Sequence, residues 1–302
     1  MSNIYRWIDN MGKNFSQINE QLLSNSDNSN CASDKRKYRI DAVKVKYTNN
    51  KSEKYLLHNV VFNSYEVAYY DLGQPVDNQF KKCTLTVYEV DGKNIYYIAE
   101  HLSDSRLLRF LLGYNGKKEI ELIENEVSSD MLMWLVYKTY NKKVREHIEP
   151  FDNIEVTQLI GIKGFTDDQS NKVSATGCDV LKLLSTLAFI LESRNYRDAN
   201  IQLSYGLHKN IEVSVWSSGK IAIDYKKYSG KWGDNATQGI REKLSILICL
   251  EIMPLLVKWY NCDKKNGEWS KETQIKFLNQ IAENVKNKIE YKINAVSETI
   301  HE

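Results

Sequence analysis

The stretch IEVSVWSSGKIAIDYKK, residues 211–227, decides how the second half of this chain folds. Two runs rich in β-branched residues flank Ser217-Ser218-Gly219, which is the composition of a β-hairpin. The second run ends in Asp224-x-Lys226. A carboxylate at the end of a buried strand can hold a divalent metal ion, and a lysine two residues later can lie beside an attacked phosphate. The stretch therefore predicts a hairpin and gives the hypothesis of a metal-dependent nuclease a specific place.

The register of this hairpin decides whether a metal site can form there. With the two-residue loop Ser218-Gly219, Asp224 pairs with Val213 and Glu212 faces the other side of the sheet. With a loop one residue longer, Glu212 pairs with Asp224 and the two carboxylates can share an ion. Asp198, in the loop before the preceding strand, is the other candidate ligand. The sequence leaves both registers open, and an ordinary surface strand is the simpler interpretation.

The segments around the hairpin predict a second region of strands and helices. A strand at 153–164 and another at 201–206 supply partners for the hairpin, and a helix is expected at 178–194. Two C-terminal helices follow, and the last places apolar residues on one stripe. These residues are Ile275, Leu278, Ile281, Val285, Ile289, Ile293 and Val296.

The first half of the chain predicts a helix followed by an antiparallel sheet. Apolar residues recur every three or four positions from Ile4 to Leu22, which favours an N-terminal helix ending near Leu23. Residues 37–101 alternate with period two and predict about five strands, with Asp91-Gly92 at a tight hairpin turn. Pro150 ends the following helix and marks the predicted domain boundary. We therefore expect an α+β protein with an N-terminal helix and antiparallel β-rich domain at 1–150, and an α+β domain with C-terminal helices at 151–302.

The composition places the chain among globular intracellular proteins. Of its 302 residues, 42% are hydrophobic and 26% are charged, and the formal net charge is +2. Its five scattered cysteines form no C-x-x-C pair, which indicates reduced thiols and predicts a cytoplasmic location. The most apolar run is too short to span a bilayer, so no membrane association is expected. Abundant Lys, Asn, Ile and Tyr suggest an A+T-rich prokaryotic gene, hence a phage-conflict or mobile-element setting.

Familiar catalytic and cofactor motifs are incomplete in this sequence. The glycines at 161–164, 175–177 and 113–116 lack the spacing of nucleotide-binding loops, and turns or helix caps explain them more simply. The five histidines are dispersed without a Cys or carboxylate at ligand spacing, and no nucleophile elbow is present. We expect no resident metal and no cofactor, except Mg²⁺ or Mn²⁺ under the nuclease hypothesis.

Two basic tracts with neighbouring aromatic residues predict a nucleic-acid surface. Cationic side chains neutralise phosphates, and exposed aromatic rings can stack on unpaired bases. The candidate residues are Lys35, Arg36, Lys37 and Arg39 in the first tract, and Lys226, Lys227, Lys231 and Trp232 in the second. Scattered solvated lysines are the competing interpretation of each tract, and the prediction is stronger if both tracts share one face.

Three functional hypotheses follow from the sequence. The leading one is a non-catalytic intracellular recognition protein that binds nucleic acid or a partner protein. The alternative is a divalent-metal-dependent nuclease centred on Asp224 and Lys226, with Glu212 or Asp198 completing the site. The third is a structural partner that docks through its C-terminal helix, which requires an apolar stripe to be left exposed.

Overall fold

The computed structural model describes most of the chain, and residues 38–39, 48–54, 172–173 and 298–299 are described by their backbone alone. The described residues are 1–24, 38–39, 48–54, 58–71, 74–100, 102, 105–141, 153–165, 172–177, 180–193, 195–232 and 239–299. Pro150 and the basic residues Lys35, Arg36 and Lys37 lie outside these ranges.

Strands occur in both halves of the chain. In the described part they are β1 Ser2–Asp9, β2 Tyr38–Arg39, β3 Thr48–Lys54, β4 Asn59–Asp71, β5 Phe80–Val90, β6 Asn94–Glu100, β7 Ile120–Leu122, β8 Ile154–Phe165, β9 Lys172–Thr176, β10 Asn195–Tyr205, β11 His208–Trp216, β12 Ile221–Asp224 and β13 Ser229–Gly230.

Helices alternate with these strands and dominate the C-terminal part. They are α1 Phe15–Ser24, α2 Ser105–Leu111, α3 Ser129–Asn141, α4 Leu184–Glu192, α5 Ile240–Leu247, α6 Met253–Lys265 and α7 Lys271–Thr299. A π-helical turn, Ile248–Ile252, joins α5 to α6. No helix in the described ranges is both long and apolar enough to cross a membrane.

Contacts between residues divide the chain into two compact units. Unit 1 comprises Met1–Glu124 and Ala236–Glu251, and unit 2 comprises Asn125–Asn235 and Ile252–Glu302. Each unit combines an antiparallel sheet with helices, so the predicted α+β class is confirmed.

Unit 1 is built on the antiparallel strands β4, β5, β6 and β1, with β7 also paired to β1 and with β2 and β3 paired to β4. Asp91 and Gly92 have φ of 51° and 68° at the turn between β5 and β6, as a type I′ turn requires. One side of the sheet packs with α1 and α2 around buried apolar residues that include Trp7, Ile18 and Leu107.

The other side of the unit 1 sheet carries polar contacts to α5 and the π-helical turn. Arg6 donates from Nε to the Tyr88 hydroxyl at 2.7 Å and from Nη1 to the Cys249 carbonyl at 2.9 Å. Ser64 donates to Glu242 at 3.1 Å. These hydrogen bonds help to attach α5 and the π-helical turn to this side of the sheet. They also pair polar groups that burial would otherwise leave without a partner.

The predicted N-terminal helix is correct only in its second half. Residues Ser2–Asp9 form β1 instead, with Trp7 paired to Tyr97 of β6 and to Leu122 of β7. Gly12, at φ +68°, lies in the turn before α1. The apolar spacing of Ile4, Trp7 and Ile8 fits a helix, but pairing on both edges of the strand overrides that local pattern.

Unit 2 is built on the antiparallel order β9–β8–β10–β11–β12, with β13 also paired to β11. Helix α3 contacts β8 and β10, and Ser128 caps it by accepting the Met131 N–H at 3.1 Å. Asp263 of α6 accepts the Trp134 indole N–H at 2.8 Å and pairs with Lys138 at 2.6 Å. These contacts join α3 to α6.

Candidate basic surface at the foot of the hairpin

The hairpin adopts the longer of the two loops considered from the sequence. Glu212 pairs with Asp224 and Val215 with Ile221, and the Trp216 N–H donates to the Lys220 carbonyl at 3.0 Å. The loop is therefore Ser217–Gly219. Gly219 has φ +77°, and a Cβ at this position would lie 2.5 Å from the Asn125 carbonyl oxygen. Glycine is required there because both the backbone angle and the close approach exclude a side chain.

In this register Glu212 and Asp224, two of the carboxylates proposed for the nuclease, lie directly across from each other on neighbouring strands. Each of them, however, contacts other protein groups. Glu212 accepts from the Asn200 amide at 3.0 Å, and Asp224 accepts the Lys226 backbone N–H at 3.1 Å. Asp198 pairs with Lys163 at 3.4 Å. Within the described residues, no three histidine, cysteine or acidic side chains are grouped so that they could hold a metal ion.

Beyond Asp224 the second strand of the hairpin bulges. After the pair Glu212–Asp224, the next described pair is Lys209–Ser229. The first strand advances by three residues between these pairs, from 212 to 209, and the second advances by five, from 224 to 229. The two extra residues form a bulge, so the segment 225–228 leaves the regular ladder. The strands then meet again at His208–Gly230 and Lys209–Ser229. We call this end of the hairpin, residues 207–210 and 225–232, the foot.

The foot has two different sides because neighbouring residues of a strand face opposite ways. His208 and Trp232 lie on one side, with ring centroids 4.4 Å apart, and His208 is only 5% exposed. Lys209 is exposed and pairs with Ser229, so it faces the other side. Lys231 follows Gly230 at the end of the ladder, and its N–H donates to the Leu207 carbonyl at 3.2 Å.

Four exposed lysines are concentrated at the foot. We call them the lysine cluster: Lys209, Lys226, Lys227 and Lys231. Lys226 and Lys227 lie on the bulge. Across the described ranges none of the four forms an ion pair. The cluster therefore presents positive charge to solvent, which suits a polyanionic ligand.

An aromatic trio, His208, Tyr228 and Trp232, fills the opposite side of the foot. The Tyr228 hydroxyl accepts the Trp232 backbone N–H at 3.3 Å and lies 2.7 Å from His208 Nδ1. Burial, with a smaller effect of Lys231, lowers the pKa of His208 to about 4. The imidazole is therefore neutral near pH 7, and the tyrosine hydroxyl can donate its proton to Nδ1.

The structure unites part of the predicted basic residues and separates others. Lys226, Lys227 and Lys231 come together in the lysine cluster, whereas Trp232 belongs to the aromatic trio. The tract containing Lys35, Arg36 and Lys37 lies outside the described residues, and Arg39 is described only as backbone in β2. A shared face for the two tracts stays a prediction.

Lys209 is the basic residue that sequence reasoning missed. No motif marks its position next to His208. Only its pairing across the hairpin indicates that it lies close to the other lysines. Extending the regular ladder past Asp224 would have placed Lys209 opposite Lys227. The bulge shifts this partner to Ser229, and no pattern in the sequence announces a two-residue shift.

A second exposed feature lies on α7. Phe277 and Ile281 are buried, but Ile289, Ile293 and Val296 are 44%, 58% and 55% exposed. These three residues are spaced by four and three positions, so they share one helix face. Of the other residues of the predicted stripe, Ile275 is 59% exposed and Leu278 and Val285 are partly buried, so the stripe is buried only near Ile281 and is exposed at its distal end.

Comparison with known proteins gives no relative from which to transfer a function: no protein-family model matches the chain, and no curated protein is significantly similar to it.

Proposed function

We propose that this protein is a non-catalytic recognition protein that binds nucleic acid through the lysine cluster. The observation that carries the proposal is the concentration, at one end of the hairpin, of four exposed lysines that form no ion pair with the residues the structure describes. A nucleic-acid backbone has complementary charge, and ammonium groups on neighbouring strands can neutralise several phosphates at once. A phage-conflict or mobile-element setting remains a proposal that rests on composition.

The test is the salt dependence of binding to labelled duplex DNA, single-stranded DNA and RNA. Neutralising four phosphates should give a slope of log K against log salt of about −3.6 on duplex DNA, at roughly 0.9 per contact. Replacing all four lysines by glutamine should flatten the slope and weaken binding. If the wild-type protein binds none of the three ligands at low salt, nucleic acid is not the ligand.

A second candidate function is docking through α7, because the distal part of its apolar stripe is exposed as this hypothesis requires. The occupant we propose is a second copy of the chain, since a four-and-three apolar spacing can form a seam with an identical helix. The Ile293→Glu substitution should abolish self-association measured by sedimentation. The control Asn294→Glu adds the same charge away from the stripe and should preserve it. A wild-type chain that remains monomeric at high concentration would remove this candidate.

A further inference from the structure

We propose that the foot recognises a row of phosphate groups by charge alone, without stacking on bases. This inference rests on the proposed function and names its ligand class: a linear chain of phosphates, whether the sugar–phosphate backbone of a nucleic acid or inorganic polyphosphate. It assigns Lys209 to the binding site beside Lys226, Lys227 and Lys231, and it gives His208, Tyr228 and Trp232 a positioning role.

The first argument is the alternation of side chains at the foot. Base stacking beside phosphate contacts would require an aromatic ring on the same side as the lysines. His208 pairs with Gly230 and Lys209 pairs with Ser229, so consecutive residues face opposite ways. Trp232, packed on His208 at 4.4 Å, lies on the side away from Lys209.

The second argument is that the aromatic trio is already engaged with itself. The Tyr228 hydroxyl contacts both His208 Nδ1 and the Trp232 N–H, and the Tyr228 and Trp232 ring centroids lie 6.1 Å apart. Tyr228 ends the bulge that carries Lys226 and Lys227. Its contacts with His208 and Trp232 therefore fix where the chain of the bulge returns to the ladder. The trio acts on the ligand only through the lysines that it holds in place.

The third argument is the spacing of the lysines across the ladder. Lys209 pairs with Ser229, and Lys231 lies two residues beyond Ser229, so the two lysines are diagonal neighbours. The backbones of diagonal neighbours are about 7–8 Å apart. Each lysine carries a point charge on a flexible stem, so two such ammonium groups can reach neighbouring phosphates of one chain. The spacing suits successive phosphates of one chain and requires no base.

The experiment compares three ligands of equal phosphate number at low salt: a thymidine oligonucleotide, the same backbone with abasic sites throughout, and linear polyphosphate. We expect the thymidine and abasic ligands to bind within about threefold of each other. A preference of tenfold or more for the thymidine ligand would overturn the inference while leaving the proposed function intact. Two results for polyphosphate agree with the inference and identify the source of the phosphates. Binding equal to that of the abasic chain indicates any linear phosphate chain, and weaker binding indicates the sugar–phosphate backbone. Binding of none would overturn the proposed function and the inference together.

The Trp232→Leu variant separates positioning from stacking. If Trp232 only positions the lysines, the variant should lower the affinities for the thymidine and abasic ligands by the same factor, because the lysines shift. Stacking predicts a loss for the thymidine ligand alone, and that result would contradict the inference. A melting curve checks that the variant is folded. If it is not folded, the comparison of ligands on the wild-type protein still decides.

Discussion

Gly230 shows at the scale of one residue how the foot is constrained. Its φ is +118°, and an added Cβ would lie 2.3 Å from the Leu207 carbonyl oxygen. Gly230→Ala should therefore lower the free energy of unfolding by about 1–3 kcal/mol, since backbone strain and a clash act together. Gly267→Ala is the matched control, because Gly267 also has a positive φ, +81°, but has open space around it. Urea unfolding should show the larger loss at Gly230, and equal losses would mean that the close approach is relieved cheaply.

His208 predicts a pH dependence of stability in a defined window. Its pKa is lowered from 6.5 to about 4 in the folded chain, chiefly by burial. Between these values the unfolded chain binds a proton that the folded chain does not, so stability is retained above pH 6.5 and is lost as the pH falls toward 4. The full difference corresponds to at most about 3 kcal/mol. Urea unfolding at pH 7 and pH 4.5 should show this loss in the wild type.

The matching variant is His208→Gln, which should reduce the difference between the two pH values. His58→Gln changes a histidine on the turn near Asp91 and should leave the difference in place. An undiminished pH dependence in His208→Gln would mean that other groups cause the loss.

Asp224 discriminates between recognition and catalysis. Its carboxylate accepts the Lys226 N–H at 3.1 Å and so supports the turn that begins the bulge. We expect Asp224→Asn to preserve the fold with a stability change within about 1 kcal/mol, since an amide oxygen can accept the same bond. Nuclease assays with Mg²⁺ or Mn²⁺ give the decisive readout. Metal-dependent cleavage by the wild type that disappears in Asp224→Asn would replace the recognition proposal by the enzyme.

At the scale of elements, β1 is where local pattern and tertiary pairing disagree. Trp7 is 1% exposed and lies in the core of unit 1, between β6 and β7. Trp7→Ala should cost about 3–5 kcal/mol, the usual range for emptying a large buried aromatic site. Asn3→Ala, at an exposed position on the same strand, should change stability by less than about 0.5 kcal/mol. Denaturant unfolding measures both, and a small loss at Trp7 would show that β1 contributes little to the core.

The elements differ in how well the sequence specified them. The turn at Asp91-Gly92 was predictable, because two residues that tolerate a positive φ mark it. The hairpin was predictable as a hairpin but not in register, since both loops contain suitable turn residues. Strand β1 was mistaken for helix because Ile4, Trp7 and Ile8 satisfy the helical spacing, and this local pattern does not record that β6 and β7 pair with both edges of the strand.

At the scale of the whole molecule, net charge says little about binding, because the formal net charge is only +2. Changing the four cluster lysines to glutamine removes four positive charges and lowers this value to −2. A control that changes Lys117, Lys118, Lys271 and Lys276, all exposed, has the same net charge. We expect the cluster variant to lose more than tenfold in nucleic-acid affinity, while the control stays within about twofold at physiological salt, where screening limits distant charges. Equal losses in the two variants would mean that overall charge, not the cluster, governs binding.

Periodicity and turn chemistry are local properties, so the α+β class and the hairpin at 211–227 follow directly from the order of the residues. Tertiary pairing places Glu212 opposite Asp224, brings Lys209 to the same end of the hairpin as Lys226 and Lys227, and puts Trp232 on the side away from Lys209. The physical reason is that each of these facts depends on strand pairing. A shift of one residue in register moves a side chain to the opposite face of a sheet. The local sequence pattern is the same in both registers, so it does not distinguish them.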